Sequence, residues 1–437
     1  MQPEQQSKQE PEQRIEESLE INKSKLKEHL LEILKPSIDK DKQGELASAH
    51  VETFDFFKKG RINKSDCYRM IVTENFKERA KQETNVYILK KYDSPKKDEY
   101  SQNDESQQKA ESSKKAPSEI EKQILGISNV IGSRKYWFTG TEKEFRIFEY
   151  AFSPKYKEAD FENLLLLKYI NDPSENLEDQ IKLKQKVSSL DIVEALNPIN
   201  LLHDYIPSRH YIDKKEPNGK EIGIGTKEEV LEKRLDIPDF DYSGYLKNVE
   251  AGIYTLFDAD DSKKKSAYES LEKVSNSFMC NEDFKTTIQS EGYPHHDFIT
   301  TLVDASNVCR GPRALHLGCL IGHPAVFNRL DNQKEAIPDL IKGYLWRRDR
   351  LKEEFKLHTY IQPIDKDFLE SSVYIGAILG NLYMCSKLDD ILEDEKNEFK
   401  EAIKNQIDFL QDKNKYDKDI NNLFRAFSHV SYPNQNL

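Results

Sequence analysis

From Gly292 to Gln333 there is no lysine and no glutamate, although charged residues make up 33% of the chain. A run of that length without the two side chains that most resist burial can sit at the centre of a folded core. The same window, GYPHHDFITTLVDASNVCRGPRALHLGCLIGHPAVFNRLDNQ, carries His295, His296, His316 and His323 together with Cys309 and Cys319. Side chains able to bind a metal or move a proton therefore crowd where the core is expected.

Elsewhere the chain is polar, with 37% hydrophobic residues over 437 positions, below the roughly 45 to 50% of ordinary globular domains. Some of its length is therefore expected not to fold. Residues 1–22 form an acidic, glutamine-rich tail, too poor in aliphatics to offset the entropy of ordering. Residues 91–120 are charged and rich in serine and glutamine, which predicts a disordered linker. Between them, 23–90 is expected to hold a small helical module: Leu26, Leu30, Leu31 and Leu34 fall at helical spacing, as do Leu46, Val51, Phe54 and Phe57, and a third helix carries Tyr68, Met70, Ile71 and Phe76.

Residues 121–437 are expected to form a larger helical domain, with a subdivision near 214–244, where KKEPNGKEIGIG has turn chemistry. Minor β-structure is expected near 124–150, and helices over Phe161 to Ile170 and Val187 to Leu196. Thr226 to Glu229 has the form of a capping box. Further helices are predicted at about 244–257, 262–279, 295–309, 312–323, 338–358, 365–391, 395–412 and 416–430, with Pro312 and Pro338 in first turns. The fold class is thus mainly α, an irregular helical bundle or stacked helix pairs. Gly376 and Gly380, like Gly318, Cys319 and Gly322, read as small residues that let helices approach closely.

A net charge of -12 argues against a general attraction to nucleic acid. The densest basic runs, Lys263 to Lys265 and Trp346-Arg347-Arg348-Asp349-Arg350, read as solvated helix faces. Five cysteines without a CxxC pair argue against a disulfide framework and for a reducing compartment, cytoplasm or nucleus. The N-terminus has no apolar signal segment. Val373 to Cys385 is shorter than the roughly 20 residues of a membrane span and reads as a buried helix.

Three constellations carry chemistry. His295, His296 and Asp297 resemble the His-Asp dyad of metal-dependent phosphohydrolases, which needs a further histidine and aspartate, with His203 or His210 and Asp304 or Asp349 as candidates. A second His-Asp pair, His203-Asp204, shows how readily composition alone yields one. Cys309, His316, Cys319 and His323 are ligand types that zinc accepts, without the tight knuckle of a structural site. Asp39, Asp41 and Gln43 with Gly44 imitate a calcium loop, but His50 stands where a bidentate glutamate is required; Asp258, Asp260 and Ser262 with Glu269 fail the other half of the pattern.

No constellation is complete, and a P-loop and a nucleophile elbow are both missing. The residues therefore lead to the expectation of a non-enzymatic scaffold or adaptor subunit that binds other proteins, without a cofactor. Two alternatives stand beside it: a helical phosphohydrolase holding zinc or another divalent metal, and a calcium-responsive adaptor.

Overall fold

The computed structural model describes residues 46–59, 66–76, 82–91, 121, 124–125, 128, 134–138, 141–148, 151–152, 164–168, 192, 196–205, 239–279, 287–289, 294–295, 299–302, 308–354, 363–388 and 391–431. The strands in chain order are β1 Leu46–Lys59, β2 Asp66–Phe76, β3 Gln82–Lys91, β4 Arg134–Phe138, β5 Thr141–Phe148, β6 Ala151–Phe152, β7 Leu164–Lys168, β8 Thr287–Gln289, β9 Pro294–His295, β10 Ile299–Leu302 and β11 Cys309–Gly311. The helices are α1 Leu196–Asn200, which runs into a π-helical turn at Leu201–Tyr205, then α2 Tyr242–Leu256, α3 Asp261–Met279, α4 Arg313–Gly322, α5 Pro324–Phe327, α6 Gln333–Glu354, α7 Lys366–Lys387, α8 Glu393–Lys413 and α9 Lys418–Ser431.

The chain divides into two compact units. The first contains β1, β2, β3, β6 and β7, joined in the order β1-β2-β3-β7-β6 with every pair antiparallel. This corrects the helical reading of 46–57 and 65–76. Tyr68, Met70 and Val72 are each buried at alternate positions on β2, with Tyr87 and Leu89 buried on β3. That period of two, in segments rich in β-branched and aromatic residues, is a strand pattern. On the same face Glu74 accepts hydrogen bonds from Asn85 Nδ2 at 2.8 Å and from the Tyr87 hydroxyl. The helix expected over Phe161 to Ile170 is likewise β7, whose Leu165, Leu166 and Leu167 are buried as its backbone pairs with β3.

The second unit holds the remaining elements and is mostly helical. Among the described residues two small sheets accompany the helices, one in the order β4-β5-β10-β9 and one pairing β11 with β8. The helix expected over 295–309 is absent among the described residues of that span, which are β9, β10 and the start of β11. From α2 onward the helices follow the sequence periodicity. Several starts are capped by side chains: Asp241 accepts from Gly244 N at 2.9 Å, Asp365 from Phe368 N at 2.9 Å and Asp417 from Ile420 N at 3.0 Å. Helix α6 begins at Gln333, so Pro338 lies inside the helix and not in its first turn.

Helix α7 is the axis of this unit. It is long and apolar enough to cross a membrane by length and composition, but 83% of its apolar window is buried within the protein. Against it pack α2, α4 and α8. A methyl group at Gly318 of α4 would lie 2.4 Å from the Ala377 backbone nitrogen, and one at Gly252 of α2 would lie 1.9 Å from the Leu382 carbonyl oxygen. Backbones this close leave room for glycine alone, as the small residues around Gly318 and Gly376 imply.

The polar tail, the 91–120 linker apart from Lys91, the 214–225 turn region and the capping box at Thr226 lie outside the described residues.

Candidate functional site

The π-helical turn after α1 carries His203 and Asp204, and insertions of this kind in a helix commonly mark functional positions. Helix α4 starts at Arg313, and His316 follows three residues later on the same face. Tyr344 and Arg348 are four apart on α6 and likewise share a face. Three elements thus deliver two polar side chains each to one buried centre.

Asp204 is the anchor. Its Oδ1 accepts from Arg313 Nη1 at 3.2 Å and its Oδ2 from Arg348 Nε at 3.1 Å, with all three side chains about 5 to 6% exposed. Arg313 Nη1 also donates to the Tyr344 hydroxyl at 2.9 Å. That hydroxyl lies 3.0 Å from His203 Nδ1, and His203 Nε2 lies 2.9 Å from His316 Nδ1. Asn200, at the end of α1, donates to the Tyr344 carbonyl at 3.3 Å.

The electrostatics follow from burial. His203 is held well below the usual imidazole range by desolvation first, then by His316 and the guanidiniums of Arg313 and Arg348. Burial lowers His316 to about 4. Both rings are neutral at pH 7. The Tyr344 phenol is pushed upward by burial and stays protonated. Among the described residues, Asp204 is the one carboxylate paired with Arg313, and it is shared with Arg348. Arg313 Nε and Asn200 Oδ1 are buried without a hydrogen-bond partner, although burying such groups unsatisfied is costly.

Chemically, Asp204 is not arranged as a general base, since each of its oxygens already accepts from a guanidinium. It holds two arginines on one carboxylate, one on each oxygen. Paired guanidiniums are suited to oxyanions, above all to phosphoryl groups.

The residues singled out from the sequence are dispersed. His295 lies on β9, while His296, Asp297, His210 and Asp304 fall outside the described residues, as do Asp39, Asp41 and Gln43. Asp349 is on the exposed side of α6. Cys309, His316, Cys319 and His323 do not converge: Cys309 is on β11, His316 meets His203, Cys319 Sγ lies where a Gly380 side chain would be, and His323 Nδ1 accepts from Ala325 N at 3.3 Å. Among the described residues no group of three or more His, Cys, Asp or Glu could hold a metal ion. In the fragment near 258, Asp260 accepts from Ser262 Oγ at 2.6 Å and Lys263 N at 3.0 Å, which makes it a helix cap.

Arg313, Tyr344 and Arg348 were missed. Arg347 and Arg348, read as part of a solvated charge run, are 7% and 5% exposed, while Trp346 beside them is 49% exposed. A signal existed: Ile337, Leu340, Ile341, Tyr344, Arg348 and Leu351 follow one helical stripe, and all are buried.

No family model matches the chain, and no curated protein does. Similar solved structures are a choline kinase from Cryptosporidium parvum Iowa II (10% identity, 92% of this chain and 99% of that one, TM-score 0.44) and an ethanolamine kinase from Plasmodium vivax (15%, 93% and 97%, 0.35). A choline kinase from Streptococcus pneumoniae follows at 11% identity, covering 90% of this chain and 99% of that one, with a TM-score of 0.34. The similar structures are named as kinases, in contrast with the non-enzymatic scaffold or adaptor that serves protein interaction expected from the sequence.

Proposed function

We propose that the chain is a phosphotransferase that moves a phosphoryl group from a nucleoside triphosphate to the hydroxyl of a small acceptor. The observation that carries this reading is Arg313, a buried guanidinium that, among the described residues, pairs with one carboxylate, shared with Arg348, and whose Nε has no acceptor there. Phosphoryl transfer asks a protein mainly for positioning and for stabilisation of charge on the oxygens in flight. A guanidinium fixed before the substrate arrives meets that need without reorganising. Asp204 and Tyr344 fix it, both accepting from its Nη1.

Triphosphates ordinarily travel with magnesium. Among the described residues there is no group of three or more His, Cys, Asp or Glu that could hold a metal ion, and no step is assigned to one. The described cysteines, Cys67, Cys309, Cys319 and Cys385, are in no disulfide, which fits an intracellular setting where triphosphates are abundant.

Choline and ethanolamine, which appear in the names of the similar structures, are the first acceptors to test, followed by other amino alcohols and simple sugars. Phosphorus NMR of the full chain with ATP, magnesium and each acceptor is expected to show a new phosphomonoester growing as ATP is consumed. If no acceptor is phosphorylated and ATP survives, the reading is wrong.

A further inference from the structure

We infer that Tyr344 and His203 form a one-way hydrogen-bond chain that positions Arg313, running from Arg313 through Tyr344 and His203 to His316. The inference rests on the proposed function for what Arg313 does, but not for how Arg313 is held.

The direction follows from the donor inventory. A guanidinium only donates, so the Tyr344 oxygen is the acceptor in its 2.9 Å contact with Arg313 Nη1. Tyr344 is fully buried, and its hydroxyl meets one other described partner, His203 Nδ1 at 3.0 Å. If His203 Nδ1 carried a proton, the phenol would accept twice and its own hydrogen would be buried without an acceptor, a costly arrangement. The phenol therefore donates to Nδ1.

The neutral His203 ring then carries its hydrogen on Nε2, which donates to His316 Nδ1 across 2.9 Å. His316, accepting at Nδ1, carries its hydrogen on Nε2. One arginine thus sets the tautomers of two histidines on two other elements. In return, the two rings hold the phenol in the orientation that Arg313 requires.

This chain supplies the second contact that keeps Arg313 Nη1 in place, beside that of Asp204. Of the two hydrogens on Nη1, one goes to Asp204 and the other to Tyr344. Removing the phenol oxygen leaves the guanidinium free to turn about the Asp204 contact, while the ring of Tyr344 still fills its space. Tyr344 is a positioning residue in this account, acting through Arg313.

Nitrogen NMR of the full chain labelled at histidine and arginine tests the chain directly. At pH 7 in the wild type, His203 and His316 are expected to be neutral, each with a bare Nδ1 and a protonated Nε2. In Tyr344→Phe the Arg313 Nε hydrogen is expected to exchange with solvent at least about tenfold faster, the factor that loss of one hydrogen bond to a charged group implies. Inorganic phosphate affinity should fall in step.

A His203 ring protonated at Nδ1, or either ring cationic at pH 7, overturns the inference, and needs no variant to observe. So does a folded Tyr344→Phe protein with unchanged Arg313 exchange. If tautomers and exchange behave as expected but the wild type binds no phosphate, the inference stands and the phosphotransferase reading falls.

Discussion

Asp204 is the shared acceptor of two buried guanidiniums, Arg313 and Arg348. Replacing it with alanine leaves Arg313 and Arg348 buried beside an empty position, and breaking a buried pair from one side costs about 3 to 5 kcal/mol. Urea denaturation of Asp204→Ala should show a loss of that order; a loss below about 1 kcal/mol would mean the guanidiniums find other partners. Protonation threatens the same centre from the histidine side. His316 titrates at about 4 in the folded chain against 6.5 for an ordinary imidazole, and His203 is lowered as well. The unfolded chain therefore binds protons first as pH falls. The stability these rings contribute is fully present above about pH 6.5 and is lost between there and about pH 4, with a total on the order of 3 kcal/mol for His316. Urea midpoints measured at pH 7.5 and pH 5 should differ in that direction, and equal midpoints would contradict the neutral pair.

At the scale of elements, the close crossing of α4 and α7 sets what the sequence tolerates. In an open helix, glycine to alanine stabilises by up to about 1 kcal/mol. At Gly318 a methyl group would lie 2.4 Å from the Ala377 nitrogen and 2.4 Å from the Gly376 carbonyl carbon, so overpacking decides the sign. Gly318→Ala is expected to lose about 1 to 3 kcal/mol in thermal or urea unfolding. A gain would show that the helices can separate without penalty. This crossing was legible because Gly318, Gly322, Gly376 and Gly380 stand in apolar runs, and the helices from Tyr242 onward were legible for the same reason of period. The N-terminal strands were not. Leu46, Val51, Phe54 and Phe57 satisfy helical spacing loosely, while the alternation of Tyr68, Met70 and Val72 on β2 emerges only when the intervening Arg69 and Ile71 are assigned to the opposite face. The candidate site was hidden more deeply. His316 was visible within its lysine-free window, but its partner His203 lies 113 residues earlier and Tyr344 28 residues later (344 − 316). No local pattern connects them, and Arg348 was masked by the charged residues around it.

On the scale of the whole molecule, the two compact units interleave in sequence. The chain forms β1 to β3 in the first unit, contributes β4 and β5 to the second, and returns to the first for β6 and β7. A fragment beginning at residue 121 would keep β7 while losing β3, its partner along Leu164 to Lys168. The buried Leu165, Leu166 and Leu167 would then lie on an open strand edge, a template for association. Size-exclusion chromatography of 121–437 should show aggregates beside a well-behaved full chain; a monodisperse monomer would contradict this. The central claim of the proposed function is that Arg313 stabilises the phosphoryl group in transfer. Lysine keeps the charge but loses the planar fork that Asp204 and Tyr344 hold. The decisive measurement is the rate of ATP-dependent acceptor phosphorylation by folded Arg313→Lys protein against the wild type. The account predicts a fall in kcat of about 100-fold or more, the usual effect of losing one preorganised donor; equal rates would contradict it.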